Sequence, residues 1–300
     1  MSVLLSIVTQ LLHMAAVVLA APVLAGVVAV LTDRIAGRVP SAVTRSWRQI
    51  AHLFRKQTIR MPGASPVTRF APLLSVAVAA WTVFLIPSFA LGMVSAPLSD
   101  IVVIAALFAF GRVVLMLAAM DAGTGAAAVA ATETASQAVA AQPALLLAVF
   151  ALALLAGGSN LDAILAAKME GLLPSSAATG LAIAALAIVG WVDRECPPAD
   201  ATFSGADLAV LRIAEQLRIL AWCDLIGALA LPFGMALADA GPVSWGIGLL
   251  AWIGRLLLAA LVLAAVRASG ASDRARTALT LALALGGIAA MLALTGGDPT

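Results

Sequence analysis

Seven ionisable residues fall inside stretches otherwise built from Ala, Leu, Val and Ile: Arg112, Asp121, Arg212, Glu215, Arg218, Asp224 and Arg255. A charge at the centre of a bilayer costs roughly 2.5–3.5 kcal/mol on insertion scales, so each of these needs a partner or a task. Arg212, Glu215 and Arg218 are spaced three apart, which on a helix puts them on one face within salt-bridge reach. Asp224 follows nearly two turns further on. Arg255 comes twelve residues after Val243, on a helix entered from the opposite side, so its depth resembles that of Asp224 and the two are expected to pair across helices. Such a stripe either moves protons or forms an internally neutral network that fixes helix packing. Glu215, the one glutamate inside an expected span, is the carboxylate best suited to taking up and releasing a proton.

Other chemistry is sparse. His13 and His52 are the two histidines, and Cys196 and Cys223 lie 27 positions apart with no CxxC or CxxxH, so the chain assembles no zinc or iron-sulfur ligand set and no cofactor of its own is expected. GxSxG, GxGxxG, P-loop and HExxH patterns are all missing. His13 reads as a hydrogen-bonded packing residue. Asp193, Glu195, Asp200 and Asp207 read as solvated charges at the mouth of the bundle.

The elements that must position these residues follow from composition. With 63% apolar and 11% charged residues over 300 positions, the polar surface is too small to cover a soluble globule. The long Ala/Leu-rich runs lack the alternation of a barrel, so the expected fold is all-α, a polytopic transmembrane helical bundle of about eight spans forming a single domain over 1–300. The spans are expected near Val3 to Leu31, Phe70 to Val94, Leu98 to Met120, Ala138 to Gly157, Ala177 to Val192, Asp207 to Leu237, Val243 to Val266 and Ala275 to Leu294. The net charge of +2 gives no reason to expect nucleic acid as a partner.

Basic residues cluster after the first span, at Arg34, Arg38, Arg45, Arg48, Arg55, Lys56, Arg60 and Arg69, whereas the opposite loops hold only Lys168. That asymmetry predicts a bacterial inner-membrane protein with this loop in the cytoplasm and both termini outside. Segment 32–69 is read as a basic amphipathic stretch along the inner membrane surface, with Trp47, Ile50, Ala51, Phe54 and Ile59 at helical spacing. It serves either as a topology signal touching anionic lipid or as a docking surface.

Three stretches, in order, resemble one family. "RSWRQIAHLFRKQTI" with "RFAPLLSVAVAAWTVFLIP", the run from "GRVVLMLAAMDAGTG" to "ALLAGGSNL", and "FSGADLAVLRIAEQLRILAWCDLIGALALPFG" are similar to formate hydrogenlyase subunit 4 and hydrogenase-4 component C, relatives of NADH-quinone oxidoreductase subunit 1. The resemblance implies a non-catalytic membrane subunit of a complex I-like or group 4 nickel-iron hydrogenase assembly. Its expected partners are hydrogenase-like large and small subunits, an iron-sulfur protein and antiporter-like membrane subunits, with the nickel-iron centre and iron-sulfur clusters in those partners. Arg55, Lys56, Arg60, Arg194 and Asp200 would then face the docked module, and Arg112 and Asp121 would match the family's third-helix charges. Arg212, Glu215 and Arg218 would lie on the helix leading inward from the docking site.

The family usually has a longer carboxylate- and histidine-rich loop between its fifth and sixth helices. Here only 193–206, beginning "DRECPPADATFSG", is present, and Phe203 stands in place of a tyrosine, so no quinone is expected to bind. The competing reading is a secondary transporter with a charged intramembrane axis, although no inverted repeat is visible between the two halves.

Overall fold

The computed structural model describes residues 2–59, 65–172, 176–193, 203–268 and 275–295. Its long helices are α1 (Ser2–Ile35), α3 (Pro66–Leu85), α4 (Ile101–Asp121), α5 (Gly125–Ala156), α7 (Ala177–Asp193), α8 (Gly205–Ala230), α9 (Pro242–Ala268) and α10 (Ala275–Thr295), with two short ones, α2 (Arg45–Phe54) and α6 (Leu161–Met169). Six of them, α1, α3, α4, α5, α9 and α10, are long and apolar enough to cross a membrane. The remaining two long ones depart from that standard for identifiable reasons: α7 has only 17 residues, and α8 carries Asp207, Arg212, Glu215, Arg218 and Asp224.

Helix α8 is the hub. It packs on α1, α2, α3, α7 and α9, and every residue from Gln216 to Leu225 is buried. Outside it, α3 leads to α4, α4 to α5, α5 to α10 and α10 back to α7, while α1 packs on α9. Small residues permit the closest of these approaches. A Cβ at Gly190 of α7 would come within 2.7 Å of the Trp222 ring, and one at Gly286 of α10 within 3.2 Å of the Ala144 carbonyl of α5.

Two expected spans end early. Helix α3 stops at Leu85 and α8 at Ala230, and the apolar residues after each run on as bends and turns around a two-residue strand. Strands β1 (Ala90–Leu91) and β2 (Ala236–Leu237) pair in parallel, joining these loops to each other. The pairing satisfies backbone groups that an apolar setting would otherwise leave unbonded. Asp162 of α6 accepts from the Gly92 N–H at 3.0 Å, and Lys168 of α6 donates to the Leu229 carbonyl, so α6 fastens the loop after α3 and the last turn of α8. Asn160 holds the same end together: its Nδ2 donates to the Ala96 carbonyl at 2.8 Å while its Oδ1 caps α6 through the Ala163 N–H at 2.9 Å. We call this the α6 end of the bundle and the opposite one the α2 end. Helix α5 begins at Gly125, thirteen residues before the expected span, and so takes in Glu133. Glu215 is therefore not the only glutamate on a long apolar helix.

At the α2 end, the Asp-x-Gly-Thr turn links two helix starts. Asp121, the last residue of α4, accepts from the Ser65 and Thr68 N–H groups at 3.1 and 3.3 Å and from the Thr68 hydroxyl, holding the first turn of α3. Thr124 caps α5 through the Ala127 N–H at 3.2 Å. His13, fully buried in α1, bonds Ser88 Oγ at 2.6 Å and the Val83 carbonyl at 3.1 Å, which is the packing role expected of it.

Candidate functional site

The buried charges collect around α8. Its Arg218 and Trp222 project toward α7, where Asp193 is the terminal residue. Asp193 was expected to be solvated, but its side chain has no exposed surface. It accepts from Arg112 Nε of α4 at 2.8 Å, from Arg112 Nη2, and from Trp222 Nε1 at 2.7 Å, and Arg218 Nε stands 3.6 Å away. Trp222 is held in turn by stacking on Phe108, ring centroids 4.0 Å apart and 16° from parallel. One carboxylate thus ties three helices and offsets two guanidinium groups. A sequence signal existed, since Asp193 ends an apolar run while Arg112 sits within one, but their 81-residue separation carries no spacing rule.

Asp224 and Arg255 were expected to pair directly. They lie close enough to interact electrostatically, yet no salt bridge within 4.0 Å joins them among the described residues. Asp224 accepts from Trp252 Nε1 at 2.8 Å instead, and Arg255 donates to the carbonyls of Leu231, at 3.2 Å, and Ser88. The early ends of α3 and α8 explain this, because they leave free carbonyls that a guanidinium fork satisfies better than one distant carboxylate.

Arg212 and Glu215 pair at 2.7 Å as their spacing implied. Arg218 does not join them; it is directed to Asp193. Glu215 is not deeply buried, its side chain keeping 39% exposure beside a small cavity at the α2 end. Asp121 is likewise separate from Arg112, being engaged by the start of α3. The seven expected charges, joined by Asp193, therefore form an Arg112–Asp193–Arg218 cluster, an Asp224–Arg255 region and an Arg212–Glu215 pair, with Asp121 apart.

The basic segment is anchored in a way that spacing did not reveal. Ser204 Oγ accepts from the Ile59 N–H at 2.9 Å and donates to the Ile59 carbonyl at 3.0 Å, while Thr58 Oγ1 accepts from the Ala206 N–H at 3.2 Å. Gly205, at φ +59°, lets the two chains touch: a Cβ there would lie 2.6 Å from the Gln57 carbonyl oxygen. The Phe-Ser-Gly motif is therefore a clamp that fixes residues 57–59 on the start of α8. Helix α2 rests on the bundle through Ile50 and Leu53 and exposes Arg55 and Lys56 just beyond its end. Arg60, Arg194, Asp200 and Cys196 lie outside the described residues. Among the described residues, no three His, Cys, Asp or Glu side chains converge as a metal site.

A bundle of long apolar helices packed around one charged, largely buried helix defines an integral membrane protein. The chain belongs to the NADH dehydrogenase family, whose model matches residues 2–295. It is similar to formate hydrogenlyase subunit 4 of Escherichia coli strain K12, with 24% identity over 227 residues covering 71% of this chain and 74% of the relative. Hydrogenase-4 component C of the same strain is also 24% identical, over 228 residues and 72% of each chain. Among solved structures, a chain of the membrane-bound sulfane sulfur reductase, an archaeal respiratory membrane complex, superposes with a TM-score of 0.75 at 19% identity, covering 98% of this chain and all of that one. That likeness establishes the fold.

Proposed function

We propose that this chain is the membrane-anchor subunit of a complex I-like or group 4 nickel-iron hydrogenase assembly of the formate hydrogenlyase type, in the bacterial inner membrane. The α2 end faces the cytoplasm and both termini lie outside, in keeping with the basic residues concentrated in 32–69. A hydrogenase-like redox module with its iron-sulfur protein docks on that end, against Arg55 and Lys56 and, outside the described residues, Arg60, Arg194 and Asp200. Antiporter-like subunits sit beside the bundle in the bilayer. The observation that carries this reading is the clamp between 57–59 and Ser204–Ala206. It makes the basic segment and the charged helix α8 one mechanical unit, so a force or charge arriving at the surface is passed to the buried ion pairs. Arg112 with Arg218, Asp224 with Arg255 and, toward the α2 end, Asp121 and the Arg212–Glu215 pair are the separate groups of intramembrane charge through which the subunit contributes to proton translocation.

The test is purification of the tagged protein from its native membrane in mild detergent, with nickel and iron determined and co-purifying chains identified by mass. Stoichiometric nickel and iron with hydrogenase-like and antiporter-like chains is the expected result. A metal-free protein that purifies alone overturns the assignment.

A further inference from the structure

A cavity of about 220 Å³ opens at the α2 end between α1, α2, α8 and α9. That is room for about seven water molecules. Two cations line it: Arg212, paired with Glu215, and Arg267 in the last turn of α9, which forms no ion pair among the described residues. Ser46 and Gln49 of α2 add a hydroxyl and an amide. Gln216 also lines the cavity; it is 9% exposed, and its buried Oε1 has no hydrogen-bond partner. Ala25, Val28, Ile219 and Leu263 give it apolar walls.

These groups form two complementary halves. Guanidinium, hydroxyl and amide N–H groups are phosphate donors. Glu215 and the unmet oxygen of Gln216 are acceptors, and an ammonium with three N–H donors would satisfy both. A bare phosphate leaves Gln216 unmet, a choline head group has no N–H to give, and a serine head group brings a second carboxylate against Glu215. The cavity also lies at interfacial height. Trp47, adjacent to Ser46, is 41% exposed on a helix whose Ile50 and Leu53 face the bundle. We propose that this cavity binds the phosphoethanolamine head group of a membrane lipid, its phosphate on Arg267 and Arg212, its ammonium on Glu215 and Gln216, and its glycerol end on the apolar walls.

Native mass spectrometry of the full-length protein, offered dioleoyl lipids with ethanolamine, choline or glycerol head groups at equal mole fraction, tests this. The ethanolamine lipid should be retained about tenfold over the choline lipid, the difference expected from charge-assisted hydrogen bonds to the ammonium. Glu215→Gln and Gln216→Leu should each reduce that preference, and Arg267→Gln should weaken retention of both lipids. Equal retention of ethanolamine and choline lipids by the unmodified protein overturns the proposal, as does an undiminished preference in both acceptor variants. Competition by soluble phosphoethanolamine as effective as that by the lipid would move the ligand to solution and overturn the membrane source. Because the first comparison uses unmodified protein, the proposal stays falsifiable if a variant fails to fold.

Discussion

Arg112 and Asp193 stand 81 positions apart in the chain, yet Nε of one lies 2.8 Å from Oδ1 of the other at the junction of α4, α7 and α8. Both side chains are sealed from solvent, so deleting either takes the closest counter-charge from the other. Asp193→Ala removes the counter-charge of Arg112, and Arg112→Ala leaves Asp193 with a more distant cation. Each should destabilise the bundle by about 3–5 kcal/mol. The check is the fraction of monodisperse protein surviving a heat step in detergent, with a double-mutant cycle. Single variants as stable as the parent would contradict the pairing.

Asp224 depends on a tryptophan rather than an arginine. Trp252→Phe keeps an aromatic ring, though a smaller one, and removes the N–H that bonds the carboxylate at 2.8 Å. A loss of about 1–3 kcal/mol follows for a buried acceptor left unmet. Trp252→Phe/Asp224→Leu should recover part of that loss, and thermal unfolding of the two variants compares them directly.

Gly205→Ala strikes the clamp. Its φ of +59° costs an L-residue about 1–2 kcal/mol, and the new methyl would overlap the Gln57 carbonyl oxygen. The segment around Ile59 should detach while the helices persist. Limited proteolysis after Lys56 should become faster, with helicity by circular dichroism unchanged; slow cleavage would show that the clamp is not what holds 57–59.

Asp162 and Lys168 of α6 give a pH-dependent test. Burial raises the Asp162 carboxyl above its usual range, opposed by the bond from the Gly92 N–H, and burial lowers the Lys168 ammonium. For Asp162 the fold favours the protonated form. Its favourable contribution is present below the unfolded value, near about 3.9, and disappears as pH rises through the higher folded value. Asp162→Asn keeps the acceptor for Gly92 without the charge. The variant should be at least as stable as the parent at about pH 7, with the gap closing toward about pH 4. A gap that widens on acidification would reverse the assignment.

What the sequence made legible was the set of long apolar helices, the amphipathic α2 and the Arg212–Glu215 pair, because these follow from local periodicity and i,i+3 spacing. The early ends of α3 and α8 were hidden because residues 86–94 and 231–237 are as apolar as a helix interior; only pairing of β1 with β2, more than a hundred residues apart, settles their course. Helix α6 was missed for its length of nine residues. Asp193 was misjudged because it borders a polar loop, whereas its burial depends on Arg112 and Trp222 arriving from two other helices. Glu215 differs in the opposite sense: its place within an expected span implied burial, yet its side chain is 39% exposed and borders the cavity.

The enclosure of α8 also constrains how the protein is made. A helix with five ionisable residues has no favourable path into lipid by itself, since each central charge adds roughly 2.5–3.5 kcal/mol to its partitioning. Helices α1, α3 and α7 leave the ribosome before it and supply most of its walls, whereas α9 emerges after it. Arg112 must enter the bilayer while its counter-ion at 193 is still unsynthesised. Biogenesis therefore requires a waiting intermediate in which α4 and then α8 are sheltered by the insertion machinery until α7 and α9 are in place, and truncated chains that end before α9 should stay bound to that machinery.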